Sequence, residues 1–378
     1  MKRPTMRVAF ALLLLLHGSI HLLGFVKAFG FSDVAALRQS VTLLAGGLWL
    51  VAALLLSLSA LLVATSSRWW WIPTGIGVLL SQALIVGAWG DARFGTVVNL
   101  LVLLPVLVVL ADQRPGSLAS RYHADVRALL DTAPTYERSH VTEADLAPLP
   151  PLVQGYLRRV GVVGWPHVWN FRASFSADFK MNQASPWMNA SVEQYEFFNP
   201  SARLFFMTAT RSGVPFDGYH RYVGNDAAFT VRVAGLVPMV DASGPVMTQS
   251  ETVTLFNDMC ILAPAALVDA PITWQTLDAT HVRAEFRNAG YGIAAVLTFD
   301  AQGDLANFRS DDRHYFDGKT DKLLPWLTPV SSYRDFGGMR LAAVGEAQWL
   351  EDGKAWTYGR FVLRHIEYNV PSAARTRE

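Results

Sequence analysis

The chain has 378 residues, 51% hydrophobic and 17% charged, with a formal net charge of +1 at pH 7. So even a balance gives no global field to gather nucleic acid or acidic polymers. The single cysteine, Cys260, excludes an intramolecular disulfide and a multi-cysteine metal site. The mean hydropathy of +0.23 is high for a soluble enzyme, and the excess lies in the first third.

Four long apolar stretches come first, at Val8–Phe29, Val41–Thr65, Trp70–Trp89 and Phe94–Ala111, and none recurs later. At 1.5 Å per residue each is long enough, or nearly so, to cross a hydrocarbon core of about 30 Å. Residues 1–112 therefore predict a four-helix transmembrane domain. The first stretch has a basic start (Lys2, Arg3, Arg7), but it contains His17, His21 and Lys27 and no small-residue cleavage site follows, so a retained helix is expected. Lys2, Arg3, Arg7, Arg68, Arg114, Arg121 and Arg127 fall on one side of the spans, and Lys27, Arg38 and Arg93 on the other. By the positive-inside rule, the N-terminus and the large C-terminal domain are expected in the cytoplasm. Trp69, Trp70 and Trp71 fit an aromatic belt at a membrane boundary.

Residues 113–165 predict a helical connector. Val126, Leu129 and Leu130 mark one stripe, Thr142 to Asp145 has capping-box character, and Val153, Tyr156, Leu157 and Val160 mark a second stripe. Over 166–370 the pattern turns to strand, with Trp169, Phe171, Ala173 and Phe175 alternating with polar residues, and Phe229, Val231 and Val233 doing the same. Turn residues such as Asn199-Pro200, Gly337-Gly338 and Asp352-Gly353 separate further runs. Short, sequential, turn-linked strands predict a large curved antiparallel sheet, an incomplete barrel. One segment interrupts it. Residues 248–262 place Val253, Phe256, Met259 and Cys260 near helical spacing before Pro264, which predicts an inserted amphipathic helix across the concave side. The fold class expected is α+β, a four-helix transmembrane bundle followed by that sheet, with a disordered tail over 371–378.

The run His17–Phe29 (HGSIHLLGFVKAF) resembles the first helix of a bacterial family of four-helix membrane proteins with a domain of unknown function. The resemblance continues through Leu149–Gly164, Glu251–Leu267, Phe308–Arg313 and Ile366–Val370 and covers most of the chain. The soluble part of that family is similar to lipoprotein-carrier domains, in which an incomplete barrel and covering helices enclose an apolar concavity. The resemblance implies a bacterial inner membrane location and a ligand of lipid character.

His17 and His21 stand one helical turn apart on one face. With Gln82 and Asn99 they are the polar groups of the spans, expected to face the bundle interior and bond to one another. Ion handling is the second reading, and a bis-histidine haem lacks half its ligands. Cys260, beside Asn257-Asp258, could be a nucleophile with His281 or His314, but a small buried residue is the simpler reading. Asp258 is expected at the sheet rim. Asp311, Asp312 and Arg313 could hold a cation or polar headgroup, against ordinary ion pairing at a strand end; Glu251, Arg334 and Glu346 carry the same alternative. No Walker loop, dinucleotide fingerprint, HExxH, nucleophile elbow or CxxC pair is present, so no catalytic residue, metal or cofactor is assigned.

The function expected is a membrane-anchored binding module for a lipid or other hydrophobic ligand held between the curved sheet and the covering helix. Phe256, Met259, Phe206 and Trp274 are its candidate apolar contacts, and Asp311 and Arg313 its polar ones. In that reading the helix is the gate of the site. Two alternatives stand beside it: a membrane enzyme or redox or ion-handling protein using His17 and His21, and an assembly factor that binds protein through a sheet edge. The partners expected are the bilayer and a hydrophobic small molecule, with no nucleic acid.

Overall fold

The computed structural model describes residues 4–132, 139–211, 214–316 and 321–372. Lys2, Arg3 and positions 373–378 of the expected tail lie outside them. The chain divides into two compact units, Met1–Arg114 and Pro115–Glu378.

The first unit is helical: α1 (Pro4–Ala28), α2 (Leu43–Ala64), α3 (Trp71–Gly87), the single turn α4 (Trp89–Ala92) and α5 (Gly95–Gln113). Thr42 starts α2 by accepting the Ala45 N–H at 3.2 Å. Three helices of the chain are long and apolar enough to cross a membrane, and α3, with 17 residues, is a shorter apolar helix. Leu14, Leu56, Val78 and Val102 pack as the interior, while Leu44, Leu79, Leu104 and many other leucines are exposed. A helix set apolar on both its inner and outer faces fits a hydrocarbon solvent.

Close approach between α1 and α2 depends on glycine. A Cβ at Gly24 would lie 2.5 Å from the Trp49 ring, and one at Gly46 would collide with Ala28 Cβ, whereas Gly47 faces open space. Overpacking of this kind costs about 1–3 kcal/mol. Gly24→Leu and Gly46→Leu should therefore lower the melting temperature of detergent-purified protein. Gly47→Leu should leave it unchanged, and equal melting of all three would refute the packing argument.

The second unit begins with α6 (Leu118–Thr132), α7 (Glu143–Leu146) and α8 (Pro151–Val160). The strands β1 (Asn170–Phe179), β2 (Met188–Phe198), β3 (Ser201–Arg211), β4 (Val214–Val223), β5 (Asp226–Val233) and β6 (Val237–Ser243) follow. Then come α9 (Pro245–Leu262), a 3₁₀ turn at Pro264–Val268, β7 (Ile272–Thr276), β8 (His281–Asn288), β9 (Tyr291–Phe299) and β10 (Leu305–Ser310). A small hairpin of β11 (His314–Phe316) and β12 (Asp321–Leu323) precedes β13 (Trp326–Asp335), β14 (Arg340–Glu351) and β15 (Lys354–Tyr368).

Thirteen strands form one open sheet in the order β6-β5-β4-β3-β2-β1-β15-β14-β13-β10-β9-β8-β7. Its neighbours pair antiparallel, as short hairpin connections require. The two edge strands, β6 and β7, are joined through α9, so the helix runs from one edge to the other. Twist and bulges, as at Ser174/Phe175 and Ala347/Gln348, curl the sheet. The curl brings Asn288 of β8 to Tyr222 of β4, where its amide donates to the phenol oxygen at 2.7 Å. Those strands stand third and twelfth in the order, so the sheet is a strongly curved open half-barrel.

α9 fills the concavity. The sequence marks an amphipathic helix with one apolar stripe, and the structure corrects this: 13 of its 18 residues are buried, including Glu251, Asn257 and Asp258. It also starts one turn earlier, with Pro245 in its first turn. Alternation on the strands sends Arg203, Phe205, His220 and Tyr222 inward to α9. It sends Leu204, Phe206 and Tyr219 outward, where Tyr122, Val126 and Leu130 of α6 cover them. α8 adds Val153, Tyr156, Leu157 and Val160 to the main core.

Candidate functional site

Two features of the half-barrel interior bear chemistry: a buried ionic network along one side of α9 and a groove at the end of that helix.

Glu251 and Asp258 are seven residues apart on α9, two turns, and so share a face. Opposite them stand Gln194 and Glu196 of β2, Arg203 of β3 and His220 of β4, all at inward positions. Arg203 Nε donates to Asp258 Oδ2 at 2.7 Å, and its Nη1 donates to Glu251 Oε2 at 3.0 Å. Gln194 Nε2 donates to Asp258 Oδ2 at 2.8 Å and to Glu196 Oε2 at 3.0 Å. His220 Nδ1 lies 2.9 Å from Glu251 Oε1, with its ring stacked 3.7 Å from that of Phe229. Thr328 of β13 donates to Asn257 Oδ1 from the far side.

Three carboxyls face one guanidinium, and burial decides which is charged. Burial and the neighbouring Asp258 push Glu196 well above the usual carboxylate range, so it keeps its proton. Burial also opposes ionisation of Glu251, but His220 and Arg203 outweigh it and hold that carboxyl at about 2. Burial lowers His220 despite its Glu251 partner. Arg203 therefore bridges Asp258 and Glu251, and Glu196 joins as a neutral hydrogen-bonding group.

The groove, of about 580 Å³, lies at the end of the half-barrel where the β2–β3 turn faces the end of β8. Trp169, Phe198, Met259, Ala266 and Phe286 supply its apolar walls. His167 and Asp269 meet across it at 2.6 Å, and Arg287 stands at its lip. A volume of several hundred Å³ with mostly apolar walls and a few polar groups is the usual shape of a small-molecule site.

The expected ligand contacts divide. Met259 lines the groove. Phe256 is fully buried, stacked on Phe286 at 5.0 Å and edge-on to Phe308 at 5.7 Å, so it is core. The expectation that α9 gates the site is corrected with it, because a helix bonded and packed on all sides is interior. Phe206 points to the convex face, stacked 5.2 Å from Tyr122 of α6, because its alternation parity is opposite to that of Phe205. Trp274 is half-buried on the edge strand β7 against the core. Asp311 is exposed and paired with Arg309 at 3.0 Å. Arg313 turns inward instead, donating to Thr254 Oγ1 at 3.3 Å and lying over Trp326 at 4.4 Å. Asp311 and Arg313 thus share no site. Asp258 sits in the core network, not at the rim, and Cys260 is fully buried, where burial pushes its thiol up. His281 pairs with Asp278 and His314 with Asp321, which leaves Cys260 with neither expected histidine. Among the described residues no cluster of three His, Cys, Asp or Glu side chains is arranged to hold a metal.

In the helical unit, His17, His21 and Asn99 are buried and Gln82 half-buried. His17 Nε2 lies 2.8 Å from Asn99 Oδ1, and Asn99 Nδ2 donates to Gln82 Oε1 at 3.0 Å. His21 Nδ1 donates to the His17 carbonyl at 2.8 Å, and its Nε2 lies 2.8 Å from Ser81 Oγ. Ser81 and Thr96, which completes the chain through Gln82, carry no sequence signal that marks them as partners.

Fold and site together define an α+β protein: a helical unit with helices of membrane-crossing length, and an open antiparallel half-barrel around a buried helix. The chain belongs to the DUF6544 family, a family of unknown function, whose model matches residues 139–361. No curated protein matches it. Among solved structures it is similar to a DUF1329 family protein from Desulfovibrio piger, with 11% identity, 61% of this chain and 98% of that chain covered, and a TM-score of 0.32. It is also similar to a LolA superfamily protein from Nitrosomonas europaea, with 8% identity, 58% and 94% coverage, and a TM-score of 0.32.

The ionisation of Glu196 has a measurable sign. Its folded value is raised above the unfolded value of about 4.5. Its contribution to stability is fully present below that value and is lost as pH rises through the folded value. Glu196→Gln keeps the shape and removes the titration. The melting temperature of Glu196→Gln relative to the parent should rise between pH 5 and pH 8. A difference that stays constant or falls over this range would mean that Glu196 is ionised in the fold.

Proposed function

We propose that the chain is a membrane-anchored binding module whose half-barrel takes up a lipid or other hydrophobic ligand in the groove beside Met259. The observation that carries this reading is the groove itself, about 580 Å³ walled by Trp169, Phe198, Met259 and Phe286. The ligand lies across the end of α9 rather than beneath it, and α9 serves as the fixed floor. Native mass spectrometry of gently purified protein should find lipid-sized adducts. Ala270→Trp fills the groove from its half-buried rim and should reduce adduct occupancy about tenfold, equivalent to about 1.4 kcal/mol of binding, without lowering the melting temperature. Adduct-free parent protein, or occupancy unchanged in Ala270→Trp, would remove the support for this site.

The anchor in this reading is a four-span helical unit in the bacterial inner membrane, with α3 as the fourth and shortest span. Its 17 residues rise about 25 Å at 1.5 Å each, short of the average core but within reach of a locally thinned bilayer. An even number of spans and the excess of Lys and Arg on one side put the half-barrel in the cytoplasm. Reporter fusions after residue 115 and at the C-terminus should both read cytoplasmic. Alkaline phosphatase activity at both positions would place the half-barrel on the other side.

A further inference from the structure

We infer that one end of the β1–β6 wing is a docking edge for an anionic lipid surface, formed by the β1–β2 and β5–β6 hairpin tips and the ends of β3 and β4 between them. The register sets the alignment. Asn189 of β2 pairs with Asp178 of β1 and with Thr210 of β3; Thr210 pairs with Pro215 of β4; and Phe216 pairs with Val233 of β5. The β1–β2 and β5–β6 connections and the strand ends Arg211 and Val214 between them therefore fall in one row.

That row is apolar and exposed. Met181, Val214, Leu236, Val237 and Met239 all stand in solvent, Val237 at 59% exposure. Single exposed hydrophobics need no explanation, but five on adjacent tips of one edge do. Beyond that row residues 179–188, 211–214 and 233–240 contain Lys180 and Arg211 and no aspartate or glutamate; Asp178 stands in the row itself, opposite Arg360, which pairs with Glu346. Trp187 lies between two cations, with Lys180 Nζ 4.8 Å and the Arg360 guanidinium 4.4 Å from its ring. Aliphatic tips that can enter the acyl boundary, a tryptophan at headgroup level and flanking cations complement a negatively charged leaflet. Separate convex tips fit a deformable surface better than the flat packed face of a folded protein. The same chain carries helices long and apolar enough to cross a membrane, so a bilayer is a partner it meets.

The test uses the full chain in nanodiscs. Cys260, the only cysteine, is fully buried, so an environment-sensitive fluorophore can be placed at Val237→Cys, at Met181→Cys and at the exposed β4–β5 turn with Asn225→Cys as control. In discs containing phosphatidylglycerol, the probes at 237 and 181 should shift to the blue and be quenched by nitroxide-labelled lipid, and the probe at 225 should not. Lys180→Glu/Arg211→Glu, or discs of phosphatidylcholine alone, should reduce quenching at 237 several-fold. Quenching at 237 and 181 no greater than at 225 would overturn the inference. So would a shielded probe that lipid nitroxide cannot quench, because a protein or a second copy would then cover the edge.

Discussion

The half-barrel depends on one constraint: the helix that joins its two edge strands passes through its interior and carries carboxylates with it. Burying Glu251 and Asp258 without partners would cost several kcal/mol for each ion, and Arg203 makes the arrangement possible. Because Arg203 bonds both through different nitrogens, it fixes the rotation of α9 about its axis as well as its depth. With that face turned toward β2–β4, Phe256 falls against Phe286 and Phe308 in the other half of the sheet. The hydrophobic and ionic contacts thus select the same orientation, the agreement between levels that favours a single native state. The tyrosine–asparagine contact between β4 and β8, extended to Thr252 of α9 at 2.8 Å, draws the two wings together over the helix.

The same packing limits where a ligand can go. Along α9 the concavity is lined by buried side chains from the sheet, from α8 and from the helix itself. The groove lies where α9 ends at Leu262 and the chain turns through Pro264–Val268 toward β7. The small side chains of Ala266 and Ala270 there leave the groove open, with the His167–Asp269 pair across it. Met259 suits such a wall, because an unbranched thioether adapts to ligands of varied shape.

Much of the architecture was legible before the structure. The hydropathy blocks marked the helical unit, period-two alternation and turn dipeptides marked most strands, and Pro264 marked the end of α9. The local pattern of β4 is broken by Pro215, Asp217 and Gly218, and that of β13 by Pro329; in both, sheet neighbours override local propensity. The site was far less legible. Arg203 and Glu251 are 48 residues apart, and nothing local announces that a charged strand residue points inward. The available signal was parity: Gln194, Glu196 and Arg203 occupy the same alternation phase as the core residues Val192 and Phe205. Phe206 was assigned to the ligand space on composition, and that same parity places it under α6. The groove arises from residues near 168, 198, 266 and 286 that only the sheet's curvature assembles, and no one-dimensional pattern records curvature.

The helical unit has an apolar surface around an interior in which a polar network lies beside the leucine and valine core. Its exposed leucines suit a hydrocarbon solvent, in which a free imidazole or carboxamide would have no partner. His17, His21, Ser81, Gln82, Thr96 and Asn99 therefore bond to one another. Since a carbonyl only accepts, the hydrogen of His21 resides on Nδ1, and its Nε2 lies 2.8 Å from the Ser81 hydroxyl, which donates to Asn99 Oδ1 at 3.0 Å. The Nε2 atoms of His21 and His17 thus hold α1 to α3 and α5, while Nδ1 of His21 bonds back within α1. Any ion or cofactor taking these nitrogens as ligands would have to displace bonds that join three helices, so binding there would be coupled to loosening of the bundle. Gly18 and Gly24 bring α1 close enough to α2 for Trp49 to lie 5.1 Å from the His21 ring, and burial strengthens the bonds of the network. The pair is better suited to holding this bundle in one arrangement than to exchanging ligands with solvent.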